Sequence, residues 1–392
     1  MKFFITYITF FCVFFYVHAS EFDSDVYYQE AEGKQQYELK TALHKIIRGH
    51  TRVSYTPGIW QAYEKTDLRQ NGTVWCIYTS CPFNYGVHPD YVEGYQCGST
   101  GMGYTECFCY SREHSFPKSF WGGGTALSDT VYTDVFHIYP ASGRVNSVLR
   151  NDNVYANVGT IIPKTNDDNP TSNGSKLGYS SVVGYDGQAF EIADEYKGDI
   201  ARTYFYIATR YQHLIPQWHA TANGTKLNNE TKPNNARFIL ASNTSSVFQS
   251  WYINMLLAWH RQDPVSAKEI DRNNAVFTHV QNNRNPFIDH PELVEYIWGN
   301  KQAEKWRQST SIKTTTENLF SIYPASDTNF FFCNIKSDAD IRFVIQDVSG
   351  KIIRRGVFSP PYQFFIKDLH KGIYIMHVKE NGMLSKTTFF VK

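Results

Sequence analysis

The stretch from Tyr110 to Asn151 is the one around which the rest of the chain is organised. Glu113-His114 is followed by Ser115-Phe116-Pro117-Lys118-Ser119-Phe120-Trp121-Gly122, then by a Gly-rich interruption, and then by Thr133-Asp134-Val135-Phe136-His137-Ile138-Tyr139-Pro140-Ala141-Ser142-Gly143-Arg144-Val145-Asn146. An acid beside a histidine, a return strand after glycines, and a polar helix bearing an asparagine predict a strand pair closed by a helix. Folded that way, the stretch brings a base, a carboxylate and an amide oxygen around one hard cation, a combination suited to cutting phosphodiesters.

These two blocks resemble the endonuclease I family of secreted, non-specific nucleases, whose core is a ββα-metal (His-Me finger) motif. The similarity runs from Tyr27 to Gly299 and includes Gly58-Ile59-Trp60-Gln61-Ala62-Tyr63, Asn173-Gly174-Ser175-Lys176-Leu177-Gly178 and Arg284-Asn285-Pro286-Phe287-Ile288-Asp289-His290. The resemblance implies an α+β nuclease domain with His114 as general base and with Glu113 and Asn146 as ligands of one Mg²⁺, for which Mn²⁺ can substitute. It implies 5′-phosphate products, with DNA, and RNA as a further possibility, bound through the backbone. For the phosphate contact it points to Arg150, with Arg112, Lys118 and Arg144 as alternatives. Asp134 and His137 either orient His114 and its hairpin from behind, or, for His137, form a buried hydrogen-bonded side chain.

Strand alternation predicts that Glu113 and His114 point to opposite sides unless local twist brings them together. Two hard oxygen donors and a substrate phosphate suit Mg²⁺, and the near-neutral pKa of histidine suits the base.

The chain holds 392 residues, 42% hydrophobic and 19% charged, enough for two globular domains and inconsistent with a disordered chain. Its net charge is +1, so nucleic-acid affinity must come from a local basic face and not from the field of the whole molecule. Met1 to Ser20 reads as a secretory signal: Lys2, an apolar run from Phe3 to Val17, and small residues at the cleavage site. With residues 1–19 removed, six cysteines remain, five of them between Cys76 and Cys109. In an exported protein that cluster predicts disulfides with at least one thiol left over; zinc is the alternative, although no pair of CxxC motifs is present.

Apolar spacing predicts helices over Tyr27 to Arg48, from Ile200 to Tyr211, and over Val247 to His260. Another starts at the Ser266-Ala267-Lys268-Glu269 capping box. Arg202 and Arg210 lie on the second of these, either reaching phosphate or salt-bridged. Asp289-His290 reads as a structural pair. The nuclease domain is expected over 20–308 and a Thr-rich linker over 309–318.

The remainder, 319–392, carries short strands separated by turn residues, the pattern of a small all-β sandwich. It resembles the C-terminal sorting domain of the type IX secretion system, which implies passage through the periplasm to the cell surface or medium and a partner in the secretion machinery. A carbohydrate-binding β module is the alternative reading. Two functional alternatives also stand beside the nuclease: a non-catalytic nucleic-acid-binding surface protein on the same scaffold, and a phosphoesterase for small phosphate esters.

Overall fold

The computed structural model describes Phe22 and residues 24–308, apart from 89–91, 99–102, 104, 123–129, 165–168 and 225–232. Of the rest it describes 320–324, 330–335, 341–358, 363–365, 369–370, 372–380 and 383–391. The signal segment and the Thr-rich linker thus lie outside the described residues. The chain divides into two compact units, one ending at Arg307 and the other beginning at Gln308. No described helix is long and apolar enough to cross a membrane.

The first unit mixes helices and small sheets around the helix Lys197–Arg210. The sequence marks one apolar face there, yet every residue of the helix is buried. Its polar members are accommodated because each finds a partner, the condition for burying charge. Arg202 donates through two nitrogens to Glu269, at 2.7 Å on one oxygen, and Arg210 donates to His50 and Thr130. Of the two readings of these arginines, the salt-bridged one describes Arg202. The helix Ser250–Gln262 packs alongside, with Tyr252 edge-on to Tyr204 and His260 edge-on to Phe205. Gln36–Ile47 covers another side, and Lys40 from it donates to the carbonyls of Ala208 and Thr244.

The capping box forms as the sequence predicts, Ser266 and Glu269 each binding the other's backbone N–H. The helix continues past Ala275 as a wider turn over Val276–Gln281 and stops at Asn282 in a left-handed conformation. Asp289 receives both Arg284 nitrogens, the Tyr28 hydroxyl and the Asn273 amide, and His290 bonds Ser24. The pair is structural, and it ties the N-terminal segment to the 284–290 turn.

Three strands carry the site. Cys109–His114 pairs antiparallel with Ile138–Ser142, placing Glu113 opposite Tyr139 and His114 opposite Ile138, while Tyr95–Gln96 flanks it in parallel. Pro140 cannot donate to the ladder, and its carbonyl instead accepts from Ile77 N–H. The chain turns directly into a helix over residues 143–150, whose last part, Val145–Arg150, is a π-helix.

Two disulfides brace this sheet, Cys81–Cys107 and Cys97–Cys109. Each closes a short loop and on chain-entropy grounds contributes about 3 kcal/mol. Cys76 is the leftover thiol, buried, its sulfur accepting from Thr79 and from the Ser142 N–H.

The C-terminal unit forms two antiparallel sheets among the described residues. One has the order Phe320–Pro324, Phe330–Ile335, Gln363–Phe365; the other Ile352–Phe358, Ile341–Asp347, Gly372–Glu380, Met383–Val391. Phe343 faces Val378 and Ile345 faces Met376 across the ladder, and all four are buried, as alternation on a one-sided core requires. Tyr374 is buried at 7% exposure, so it packs in the core and offers no sugar-stacking platform. The Asp347 carboxylate accepts from the N–H groups of Ser349 and Lys351, and Gly350 supplies the positive φ that closes the turn.

Candidate active site

His114 is the last residue of its strand, and the backbone just beyond it is held from three directions. The Ser115 N–H donates to the His137 carbonyl at 2.9 Å, and the Ser115 carbonyl accepts from the Tyr204 hydroxyl and from Arg150. The imidazole stacks against the rings of Tyr55 and Tyr132, both inclined to it by 17° and themselves 4.6 Å apart, with Trp121 edge-on. Its Nε2 lies 3.0 Å from the Tyr132 carbonyl. A carbonyl can only accept, so Nε2 carries the proton and Nδ1 presents a lone pair. Burial, then the nearby His137 and the cations Lys118 and Arg112, hold the pKa well below the ordinary histidine value, although the carbonyl bond opposes this. The ring is therefore neutral at physiological pH and ready to accept a proton.

Glu113 lines the same cleft as His114, although strand alternation predicts opposite sides for the two. Its carboxylate accepts from Tyr78 at 2.7 Å and stands 3.7 Å from Arg150, while Tyr78 also bonds Tyr155. Burial pushes its pKa up to about 7, with Arg150, the Tyr78 hydroxyl and Lys118 pulling the opposite way. Asn146 arrives on the helix, its Nδ2 donating to Ser111 Oγ at 3.0 Å, which turns Oδ1 away from the strand. Among the described residues no donor engages Glu113 Oε2 or Asn146 Oδ1. Glu113, His114 and Asn146 line one cleft of about 420 Å³, with Tyr55, Arg112 and Lys118 on its walls. A carboxyl oxygen and an amide oxygen left without donors at the same cleft are the hard oxygen ligands a divalent cation requires, so these residues fit Mg²⁺ or Mn²⁺.

The remaining candidates divide. Arg112 borders the cleft, stacked on Tyr55 at 3.6 Å and Trp60 at 4.4 Å and donating to the Tyr55 carbonyl and Thr56 hydroxyl. Arg150 does not reach the cleft surface. It is fully buried, lies 4.1 Å over the Tyr155 ring, and gives its N–H groups to the carbonyls of Ser115, Asn151 and Asn153. A guanidinium so enclosed cannot reach a substrate phosphate; it sits beneath Glu113 and holds the neighbouring loop. Lys118, exposed at the cleft, is the other cation available there.

Asp134 is buried and accepts from the Tyr206 and Tyr211 hydroxyls, the Gln281 amide and the Phe136 N–H. His137 bonds the Val131 carbonyl through Nε2 at 2.6 Å, its ring centroid 5.5 Å from that of His114. Both residues fasten the 131–137 segment, which supplies the Tyr132 carbonyl to His114, so their influence on the base is indirect.

Tyr78, Tyr55 and the Tyr132 carbonyl were not among the residues the sequence singled out. Tyr78 is 35 positions from Glu113, no spacing rule links them, and a backbone carbonyl leaves no mark in a sequence.

The family model for endonuclease I matches residues 35–292, and that for a secretion system C-terminal sorting domain matches 321–392. An extracellular ribonuclease of Bacillus amyloliquefaciens is 34% identical over 281 residues, covering 70% of this chain and 79% of that protein. An extracellular ribonuclease of Bacillus subtilis (strain 168) is 33% identical over 282 residues, with the same coverage.

Proposed function

The chain belongs to the endonuclease I family, and on that premise we propose that it is a secreted endonuclease that hydrolyses RNA and DNA through contacts to the backbone, with His114 as general base and Glu113 and Asn146 as the ligands of one divalent cation. It is a hydrolytic nuclease and, with its sorting domain, a secreted or cell-surface protein. The observation that carries the finer reading is the tautomer of His114: a neutral imidazole locked by the Tyr132 carbonyl, lining the same cleft as Glu113 and Asn146. RNA stands beside DNA as substrate because the two Bacillus relatives are named extracellular ribonucleases.

In this reading His114 Nδ1 takes a proton from water, and the resulting hydroxide adds to phosphorus in line with the 3′ oxygen, which departs with the bond's electron pair. The stacked Tyr55 and Tyr132 rings keep the imidazole from rotating out of line. Arg112 and Lys118 attract and position the phosphate, while Tyr78 and Arg150 hold Glu113 in place. When bound, Mg²⁺ or Mn²⁺ supplies positive charge for the phosphorane and acidity for the proton the leaving oxygen needs. Sequence preference is not required, because backbone charge and shape suffice for such binding.

End-group analysis of cleaved RNA tests this chemistry. Attack by water leaves 5′-phosphate and 3′-hydroxyl ends; recovery of 2′,3′-cyclic phosphates with 5′-hydroxyl ends would show that the base activates the ribose hydroxyl instead.

For the domain organisation we propose a nuclease domain over 20–308, a linker at 309–318 and an exported tail over 319–392 that engages the type IX machinery. Deleting 320–392 should leave an active nuclease that accumulates in the periplasm. Loss of activity in the purified truncation would misplace the boundary, and undiminished surface export would remove the sorting role.

A further inference from the structure

The turn that follows the site helix is held in a conformation its residue does not favour. Asn151 has φ 41° and ψ −122°, the first central position of a II′-like turn closed by the Asn153 N–H on the Arg150 carbonyl at 2.9 Å. Glycine is the ordinary occupant of that position. Among the described residues three other non-glycine residues have positive φ, Gln36, Val247 and Asn282, and none of them borders the active-site cleft; Asn151 does.

The strained turn is imposed from several sides. The buried Arg150 takes the carbonyls of Asn151 and Asn153, the Asn151 N–H donates to the Asn146 carbonyl at 2.8 Å, and Asn235 clasps the Asp152 carbonyl at 3.1 Å. A disfavoured backbone held by this many contacts and set at a reaction cleft points to a job for the side chain. That side chain is exposed, and among the described residues its amide has no hydrogen-bond partner.

The chemistry of the cleft indicates the job. Arg112, Lys118 and His114 make one wall cationic or proton-accepting, while Ser147, Asn151 and Asp152 line it with hydroxyl, amide and carboxylate groups. A carboxylate beside a phosphate track repels the backbone it must admit, but amide and carboxylate oxygens are the acceptors a sugar hydroxyl needs. The only hydroxyl that distinguishes the two polymers along an intact strand is the ribose 2′-OH. Resting on the nuclease reading above, we infer that Asn151 is a specificity-determining residue that binds the 2′-hydroxyl of an RNA substrate, so that the enzyme favours RNA over DNA.

The test compares kcat/KM for an RNA and a DNA oligonucleotide of the same sequence, in the wild type and in Asn151→Gly and Asn151→Ala. Glycine relieves the backbone and alanine keeps the strain, and both lack the amide, so folding and recognition are separated by melting each variant. The RNA-to-DNA ratio should fall about three- to tenfold in both variants, the scale of one lost hydrogen bond, while cleavage of DNA and the melting temperature of the glycine variant are maintained. An unchanged ratio in either folded variant overturns the inference and leaves the nuclease reading standing. A wild type that cleaves neither oligonucleotide with Mg²⁺ present overturns that reading, and the role of Asn151 with it.

Discussion

His114→Ala is expected to lower turnover on nucleic acid by about 10³-fold or more, with the fold and substrate affinity nearly unchanged. The imidazole is the one group at the cleft with a lone pair set by its surroundings: Nε2 is committed to the Tyr132 carbonyl, two tyrosine rings hold the plane, and burial keeps the ring uncharged. In the proposed reading binding rests on Arg112 and Lys118, which this substitution leaves in place, so the loss should fall on kcat. His137→Ala makes the informative comparison. Among the described residues that ring hydrogen-bonds only the Val131 carbonyl, steadying the segment behind His114, so its loss should lower the melting temperature and reduce turnover less. Single-turnover cleavage together with a binding titration checks both, and a larger kinetic loss from His137→Ala than from His114→Ala would assign the base to the wrong ring.

The largest structural effect should come from Asp134→Ala. One buried carboxylate gathers the hydroxyls of Tyr206 and Tyr211, the Gln281 amide and a backbone N–H, and His50 stands 4.0 Å away. Burial alone would raise its pKa, but His50, His137, the Gln281 bond and Arg210 together bring it below the ordinary aspartate value. Removing it orphans several donors where no solvent reaches them. At roughly 1–3 kcal/mol each, the loss is on the order of 5 kcal/mol, comparable with the whole stability of many domains. Denaturant unfolding should show that loss, and Asp134→Asn, which keeps an acceptor, should retain part of the stability. A fully stable alanine variant would mean the network contributes little to folding.

The strand, return strand and helix around Glu113, His114 and Asn146 were legible in the sequence because hairpin and helix signals are local, whereas the roles proposed for the three residues came from the resemblance of the two blocks to the endonuclease I family. The capping box at Ser266 was readable for the same reason: its two partners lie three residues apart. What joins distant segments was not. Arg150 looks from its position like a phosphate ligand, and only the tertiary structure shows Tyr155 beneath it and three carbonyls consuming its donors. The helix Lys197–Arg210 likewise reads as one-sided, because a buried arginine such as Arg202 is distinguishable from a solvated one only when Glu269, 67 positions away, is found opposite it. The support of His114 by a backbone carbonyl carries no sequence signature at all.

The most direct test of the site's chemistry is cleavage of plasmid DNA and a folded RNA by the purified protein, first in excess EDTA and then with Mg²⁺ returned. Cleavage of both should stop with chelation and return with Mg²⁺ or Mn²⁺, and Glu113→Gln should stay inactive at every concentration that restores the wild type. Undiminished cleavage in EDTA, or full activity in Glu113→Gln, would contradict a cation held by Glu113 and Asn146 as the partner of His114.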